Sequence, residues 1–292
     1  MQELKEGTVN KPYDNWWAVY QPISFNINES QSHCVGTKSE LIDLCNEAHK
    51  YNIKVIMDVV FNHTANNGNN QLCPLVDPDF LNDPACWHDY SQNSSHYNDR
   101  YDVTQRCMAG LPDLNTSNKT VQNLVLDYLK ECIDAGADGF RLDVADELPD
   151  EFLKLLYDRV KQINPDALVL GEVWEDASNK TAYNRRRTYF TNGELDSVMN
   201  YPFRTAIINF VRGFDSGRGL KDTVMSIMEN YPQEVVHCNM NLLGTHDTAR
   251  ILTALVDDFD GSREEKARRY LSRRQRDLAQ ARFLMASFLQ YM

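Results

Sequence analysis

Ala135–Glu147 reads AGADGFRLDVADE, and this stretch decides the fold. Gly136 stops a helical pattern that runs from Leu124 to Ala135, as glycine does where a helix must end in a left-handed turn. Gly139–Val144 (GFRLDV) then reads as a short strand, and polar residues follow it. Working outward, Glu151–Ile163 is helical and leads to a second strand, Ala167–Val173 (ALVLGEV). Upstream, Ser39–Tyr51 has helical spacing with Ser39 as its expected cap. It precedes Lys54–Phe61 (KVIMDVVF), an apolar, β-branched run of the kind buried on both faces of a sheet. Leu195–Asn200 and His237–Leu243 are weaker strand candidates. This alternation implies an α/β protein whose parallel strands are joined by right-handed helical crossovers.

Composition narrows the function. The 292 residues carry 30 Lys+Arg against 42 Asp+Glu, a net charge of −12, which excludes a phosphate-backbone binder and so a nucleic-acid partner. No apolar run approaches the roughly 20 residues of a membrane span, and the start MQELKEG has no apolar signal core. The seven cysteines are scattered without a CxxC pair, so reduced thiols in a cytoplasmic protein are the first expectation. An exported protein with one or two bridges remains the alternative. Residues 62–118 are rich in Asn, Asp, Pro, Ser and Tyr with little periodicity; we expect an irregular insertion there. The charge run Arg263–Arg276 reads as a solvated helix face.

Three acidic residues sit in or at the ends of strands: Asp58, Asp143 and Glu172. In parallel α/β folds such positions converge on one mouth. Asp143 and Glu172 are one strand–helix–strand unit apart, which would make their strands neighbours. Paired carboxylates suit glycoside hydrolysis, one attacking the sugar carbon and one protonating the leaving oxygen. A structural ion pair is an equal alternative on spacing alone. Arg141 lies two residues before Asp143, on the same face of the strand, and is expected to hold Asp143 ionised and lower its pKa. A zinc site built from His63, His246 and the carboxylates lacks HxH or HExxH spacing.

Asp58-Val-Val-Phe-Asn-His63, Gly139-Phe-Arg-Leu-Asp143, Gly171-Glu-Val-Trp174 and Leu242-Leu-Gly-Thr-His-Asp247 resemble, in order, the four conserved regions of the α-amylase family, glycoside hydrolase family 13. Leu111-Pro-Asp-Leu-Asn115 resembles the fifth. The resemblance implies a (β/α)8 TIM barrel and retaining hydrolysis of α-glucosidic bonds in an α-glucan or maltooligosaccharide. Asp143 would be the nucleophile, Glu172 the general acid and base, and Asp247 the group that grips the sugar hydroxyls. Arg141, His63 and His246 would contact the nucleophile and the sugar, and Asp58 would fix Arg141 or a nearby loop. Trp17 or Tyr20 would form the aromatic platform, although the aromatics of WWAVY could equally be core. Leu195–Phe203, Glu147 and Thr245–Thr248 look like neopullulanases, cyclomaltodextrinases and maltogenic amylases, whereas Asn15–Pro22 and Asp99–Gln105 look like secreted bacterial α-amylases. Asn62, Thr104 and Asp113 match positions that hold a structural calcium ion in that family. Asp146-Glu147 stands where many α-amylases have Lys-His, which puts the calcium in doubt; no cofactor is expected in the chemistry.

Five barrel strands, the third to the seventh, are recognisable, within 1–61 and 119–292, interrupted by the insertion at 62–118. Strands one, two and eight are not, and a barrel needs about 250 residues before insertions. We therefore expect a fragment of a longer frame, poorly stable and weakly active because its open sheet leaves edges unpaired. The alternative to a hydrolase is a truncated, non-catalytic member of the family that binds glucan or a partner.

Overall fold

The computed structural model describes residues 3–4, 19–27, 36–65, 83–87, 107–108, 111–182, 184–259, 261–262, 265–266 and 268–291. The chain divides into two compact units, residues 1–172 with 179–197, and residues 173–178 with 198–292.

The first unit is built on a parallel sheet. Its elements are β1 (Glu3–Leu4) paired antiparallel with β2 (Pro22–Ser24), α1 (Lys38–Lys50), β3 (Ile56–Val59), the pair β4 (Cys107–Met108) and β5 (Leu111–Pro112), α2 (Lys119–Asp134), β6 (Gly139–Leu142), α3 (Asp150–Ile163), β7 (Leu168–Gly171), the pair β8 (Thr181–Ala182) and β9 (Arg185–Arg186), and β10 (Ser197–Val198), inside which the unit boundary falls. The sheet order is β10-β7-β6-β3, with β3–β6 and β6–β7 parallel. Two crossovers run through α2 and α3, as the sequence pattern predicts. The helices bury one stripe each: Val121, Val125, Tyr128, Leu129 and Cys132 on α2, and Phe152, Leu153, Leu156 and Val160 on α3. Phe61, Phe140 and Leu142 fill the sheet side of that core.

Local signals set the element ends, with one correction. Thr37, not Ser39, caps α1: its hydroxyl accepts from the Glu40 N–H while Glu40 reaches back to the Thr37 N–H, a capping box that needs the acid three residues on. Asn118 caps α2, and Gly136 ends it with φ 107°. Gly139 lets β6 lie close on β7, since a Cβ there would sit 2.3 Å from the Leu168 carbonyl oxygen.

Within residues 62–118, Asn62–Ala65 is tied to Leu111–Leu114 by the His63–Asp113 bridge, and Trp87 bridges Leu114.

The second unit holds α4 (Tyr201–Arg212), α5 (Gly217–Asn230), α6 (Gln233–Cys238), α7 (Ile251–Ala254) and α8 (Arg273–Gln290). Ile207, Leu243 and Ala286 form its core, flanked by Phe203, Val211, Leu220, Ile251 and Leu289. The strand expected at His237–Leu243 is reduced to one bridge, Met199–Met240, because α6 takes up His237 and Cys238. The seventh barrel strand is thus present only as that contact. The charged residues of 263–276 are exposed where described. Among the described residues no helix is long and apolar enough to cross a membrane.

Candidate active site

Sheet register assembles the site within the first unit. Asp58 on β3 is level with Arg141 on β6, and Leu142 is level with Gly171 on β7. The ladder runs on past the strand ends, the Asp143 N–H donating to the Val59 carbonyl and the Glu172 N–H to that of Leu142, at 2.9 and 3.0 Å. Side chains alternate along a strand, so Arg141 and Asp143 share a face with Asp58 and with Glu172 beside them.

The guanidinium of Arg141 holds all three carboxylates. Nη1 donates to Asp143 Oδ1 at 2.7 Å and to Asp58 Oδ1 at 2.8 Å. Nη2 lies 2.9 Å from Glu172 Oε2, an ion pair by distance that lacks hydrogen-bond alignment. Asp143 and Glu172 are buried and the Asp58 side chain is partly exposed. Tyr20 closes the group: its hydroxyl donates to Asp58 Oδ2 at 2.7 Å, and its ring centroid is 5.9 Å from the guanidinium.

Electrostatics here departs from the sequence expectation. Arg141 does favour the Asp143 anion, but burial outweighs it and the Glu172 and Asp58 charges add to the burial, so the Asp143 carboxyl is pushed well above the usual carboxylate range. The expectation of a lowered pKa counted the cation and left out desolvation. Arg141 itself loses proton affinity to burial and regains more from the three carboxylates, so it stays charged.

Val144 follows Asp143 with φ 51°, a left-handed backbone that costs a β-branched residue about 1–3 kcal/mol. Its N–H donates to Glu172 Oε2 at 2.9 Å. Behind the loop 143–150, Arg187 is fully buried and donates to Asp150 at 2.5 Å, to the Asp146 carbonyl at 2.7 Å and to the Leu148 carbonyl at 2.6 Å. Lys180 pairs with Asp146 at 2.7 Å.

The remaining expected site residues are placed as follows. His63 is buried, with Nε2 donating to the Tyr20 carbonyl at 3.0 Å and Nδ1 3.4 Å from the Asn62 amide nitrogen. Burial lowers its pKa to about 4, so the ring is neutral. The Asn62 amide donates to Asp113 Oδ1 at 3.1 Å, and both residues are buried. These are two adjacent oxygen-bearing side chains, of the chemistry calcium takes but fewer than its usual six to eight ligands. Thr104 and Trp17 lie outside the described residues. His246 and Asp247 belong to the second unit, where His246 Nε2 is 3.0 Å from Asp247 Oδ2. That unit also stacks the half-exposed Trp174 on the buried Tyr201, with centroids 4.0 Å apart and planes 9° apart.

Motif reading did not single out Val144, Lys180, Arg187 or Trp174 as site residues. Only Trp174 left a signal, as an aromatic two residues after Glu172.

Residues 27–275 match the family model described as the α-amylase catalytic domain. The chain belongs to the α-amylase family. An α-amylase of Clostridium acetobutylicum is 34% identical to it over 207 residues, covering 69% of this chain and 25% of that protein. A cyclomaltodextrinase of Geobacillus thermopakistaniensis is 32% identical, covering 76% and 37%. Neopullulanase 2 of Thermoactinomyces vulgaris is 32% identical, covering 72% and 35%. Among solved structures, a cyclomaltodextrinase superposes with a TM-score of 0.66 at 25% identity, covering 94% of this chain and 51% of that one. The chain therefore has the α-amylase catalytic fold, a (β/α)8 type present in part, and its relatives are glycoside hydrolases. It spans about a quarter to two fifths of the length of the curated relatives named here.

Proposed function

We propose that this protein hydrolyses α-glucosidic bonds in α-glucans or maltooligosaccharides with retention of configuration. The observation that carries this reading is a single guanidinium touching both Asp143 and Glu172. Such bridging favours the close spacing of retaining enzymes, about 5–5.5 Å, over the about 6.5–9.5 Å of inverting ones. Asp143 attacks the anomeric carbon as the glycosidic bond breaks, and the proton of Glu172 passes to the leaving oxygen. Water then attacks the glycosyl-enzyme, its proton returns to Glu172, and Asp143 is released as the anion. The aligned Arg141 bond favours the anion on Asp143, the form that attacks. Asp58 and Tyr20 hold Arg141 in place.

Asp247 and His246 would grip the sugar hydroxyls, and Trp174 offers an exposed ring for sugar packing. The relatives are named for starch, cyclodextrin and pullulan hydrolysis, so these three polymers are the first substrates to assay. Calcium at Asn62, Thr104 and Asp113 would be structural, and a chelator would then lower Tm without entering the chemistry. We also infer a cytoplasmic setting, supported by the free thiols of Cys45 and Cys132.

The test is a reducing-sugar assay on all three polymers beside a binding measurement. Turnover that retains the α-anomer and vanishes in Asp143→Asn and Glu172→Gln supports the proposal. Turnover unaffected by both substitutions overturns it. Binding without turnover would favour the non-catalytic glucan binder.

A further inference from the structure

Asn52, Val144 and Asn184 are the non-glycine residues with positive φ among those described. Asparagine tolerates that region because its short amide bonds locally, whereas a β-branched side chain crowds its own backbone there. Such an outlier persists only where its surroundings over-determine it. At Val144 they are visible. The Asp143 N–H is still on the ladder to Val59. At the next residue the chain turns left-handed, its carbonyl takes the Glu147 N–H at 2.9 Å, and its own N–H swings to Glu172 Oε2.

The hydrogen bond from the Val144 N–H and the ion pair with Arg141 Nη2 both fall on Glu172 Oε2. Among the described residues, Oε1 takes no hydrogen bond from the protein. We propose that Val144 is a positioning residue whose left-handed main chain anchors Glu172 Oε2, leaving Oε1 as the oxygen that gives up and recovers the proton. A donor fixed on one oxygen stops the carboxyl from rotating and favours its anion. The inference rests on the acid and base role proposed above for Glu172. The charged groups around Glu172 are Arg141 and Asp143 from β6 and its end, with Asp58 from β3 on the same guanidinium. Asp196, leading into β10, is held away by the Val169 N–H and Lys161.

The experiment compares Val144→Asn, Val144→Gly and Val144→Pro in the 292-residue chain. Asparagine keeps the N–H and accepts the left-handed backbone, glycine keeps the N–H but frees φ, and proline removes the N–H and fixes φ near −65°. Each is assayed on a maltooligosaccharide and on α-maltosyl fluoride, whose leaving group needs no protonation, and the Glu172 carboxyl is titrated by 13C NMR. Val144→Asn should keep its rate within about threefold and its pH profile. Val144→Pro should lose about 100-fold or more on the oligosaccharide and far less on the fluoride. Its basic limb and the Glu172 titration should move upward together by about half a unit or more. Equal loss on both substrates, or an unmoved Glu172 titration, would overturn the proposal. If Val144→Pro loses its circular dichroism, Val144→Gly decides: an upward shift of the Glu172 titration supports the anchor and none refutes it. Hydrolysis unaffected by Asp143→Asn would instead sink the catalytic reading, while the NMR titration would still judge the amide–carboxylate coupling.

Discussion

Burial works against the Asp143 carboxylate even though Arg141 sits 2.7 Å away, and the Glu172 and Asp58 charges add to that opposition. A carboxyl whose folded pKa is raised binds its proton more tightly folded than unfolded. Stability from this group is therefore fully present below the unfolded value and falls as pH rises through the folded one. Asp143→Asn should remove that penalty at neutral pH as it removes the nucleophile. We expect kcat to fall by on the order of 10³–10⁶ and Tm at pH 7 to rise, by about 2–4 °C per kcal/mol recovered; calorimetry beside the reducing-sugar assay reads both. An unchanged or lower Tm would show that Arg141 needs the charge more than burial opposes it. His63 has the opposite sign. Its folded pKa of about 4 lies below the ordinary 6.5, so the unfolded chain binds the extra proton between those values. Its contribution, roughly 3 kcal/mol in all, is present above pH 6.5 and lost as pH falls toward 4. His63→Gln, which can still donate to the Tyr20 carbonyl, should flatten the dependence of Tm on pH across that window.

The loop 143–150 runs from the end of β6 to the start of α3, and Arg187, from just after β9, holds it from behind. Its three acceptors are Asp150 and the carbonyls of Asp146 and Leu148, and its guanidinium lies 4.6 Å from the Tyr189 ring centroid. Removing one partner of a buried ion pair leaves the other uncompensated, at a cost of about 3–5 kcal/mol. Arg187→Ala should lose that much in urea unfolding. Arg187→Lys should recover only part, since a lysine cannot span the three acceptors as the planar fork does. A loss below about 1 kcal/mol for Arg187→Ala would mean that the loop is held elsewhere. None of this clamp was legible beforehand, because an arginine 37 residues from its aspartate carries no local signature. The central strands were legible for the opposite reason: IMDV, GFRL and LVLG are short, mostly apolar runs of consecutive residues. GFRL is buried throughout, LVLG at all but Leu168, and IMDV at Met57 and Val59 with Asp58 exposed, a departure from the two-faced burial expected there. The shared face of Arg141 and Asp143 followed from strand alternation, whereas Asp58 beside Arg141 followed only from the family resemblance, its register with Arg141 being visible in the structure alone. At His237–Leu243 the polar residues Asn239 and Asn241 interrupt the apolar run, and Pro232 starts a helix that uses its first two residues. The backbone of Val144 was invisible too, since valine in an apolar strand pattern predicts continued extension.

At the scale of the whole molecule, each unit leaves a different surface to water. The first unit covers its sheet with α2 and α3, whose apolar stripes are buried. The second carries α8, which buries only Ala279 and Ala286 while Leu284 and Phe288 stand 72% and 68% exposed, with Met285 and Tyr291 also outside. Large apolar side chains grouped on one helix bind hydrophobic dyes and favour self-association. The net charge of −12 opposes association at low salt, and salt screens that repulsion within about 10 Å at 0.1 M. The purified protein should therefore bind anilinonaphthalene sulfonate while folded and scatter more light as salt is raised. Replacing Leu284 and Phe288 together by lysine should reduce both signals. Because these side chains are already in water, the pair should move Tm by less than about 2 °C. A large drop in Tm would show instead that Leu284 and Phe288 are buried in solution, and dye binding that survives the substitution would put the apolar surface elsewhere in the chain.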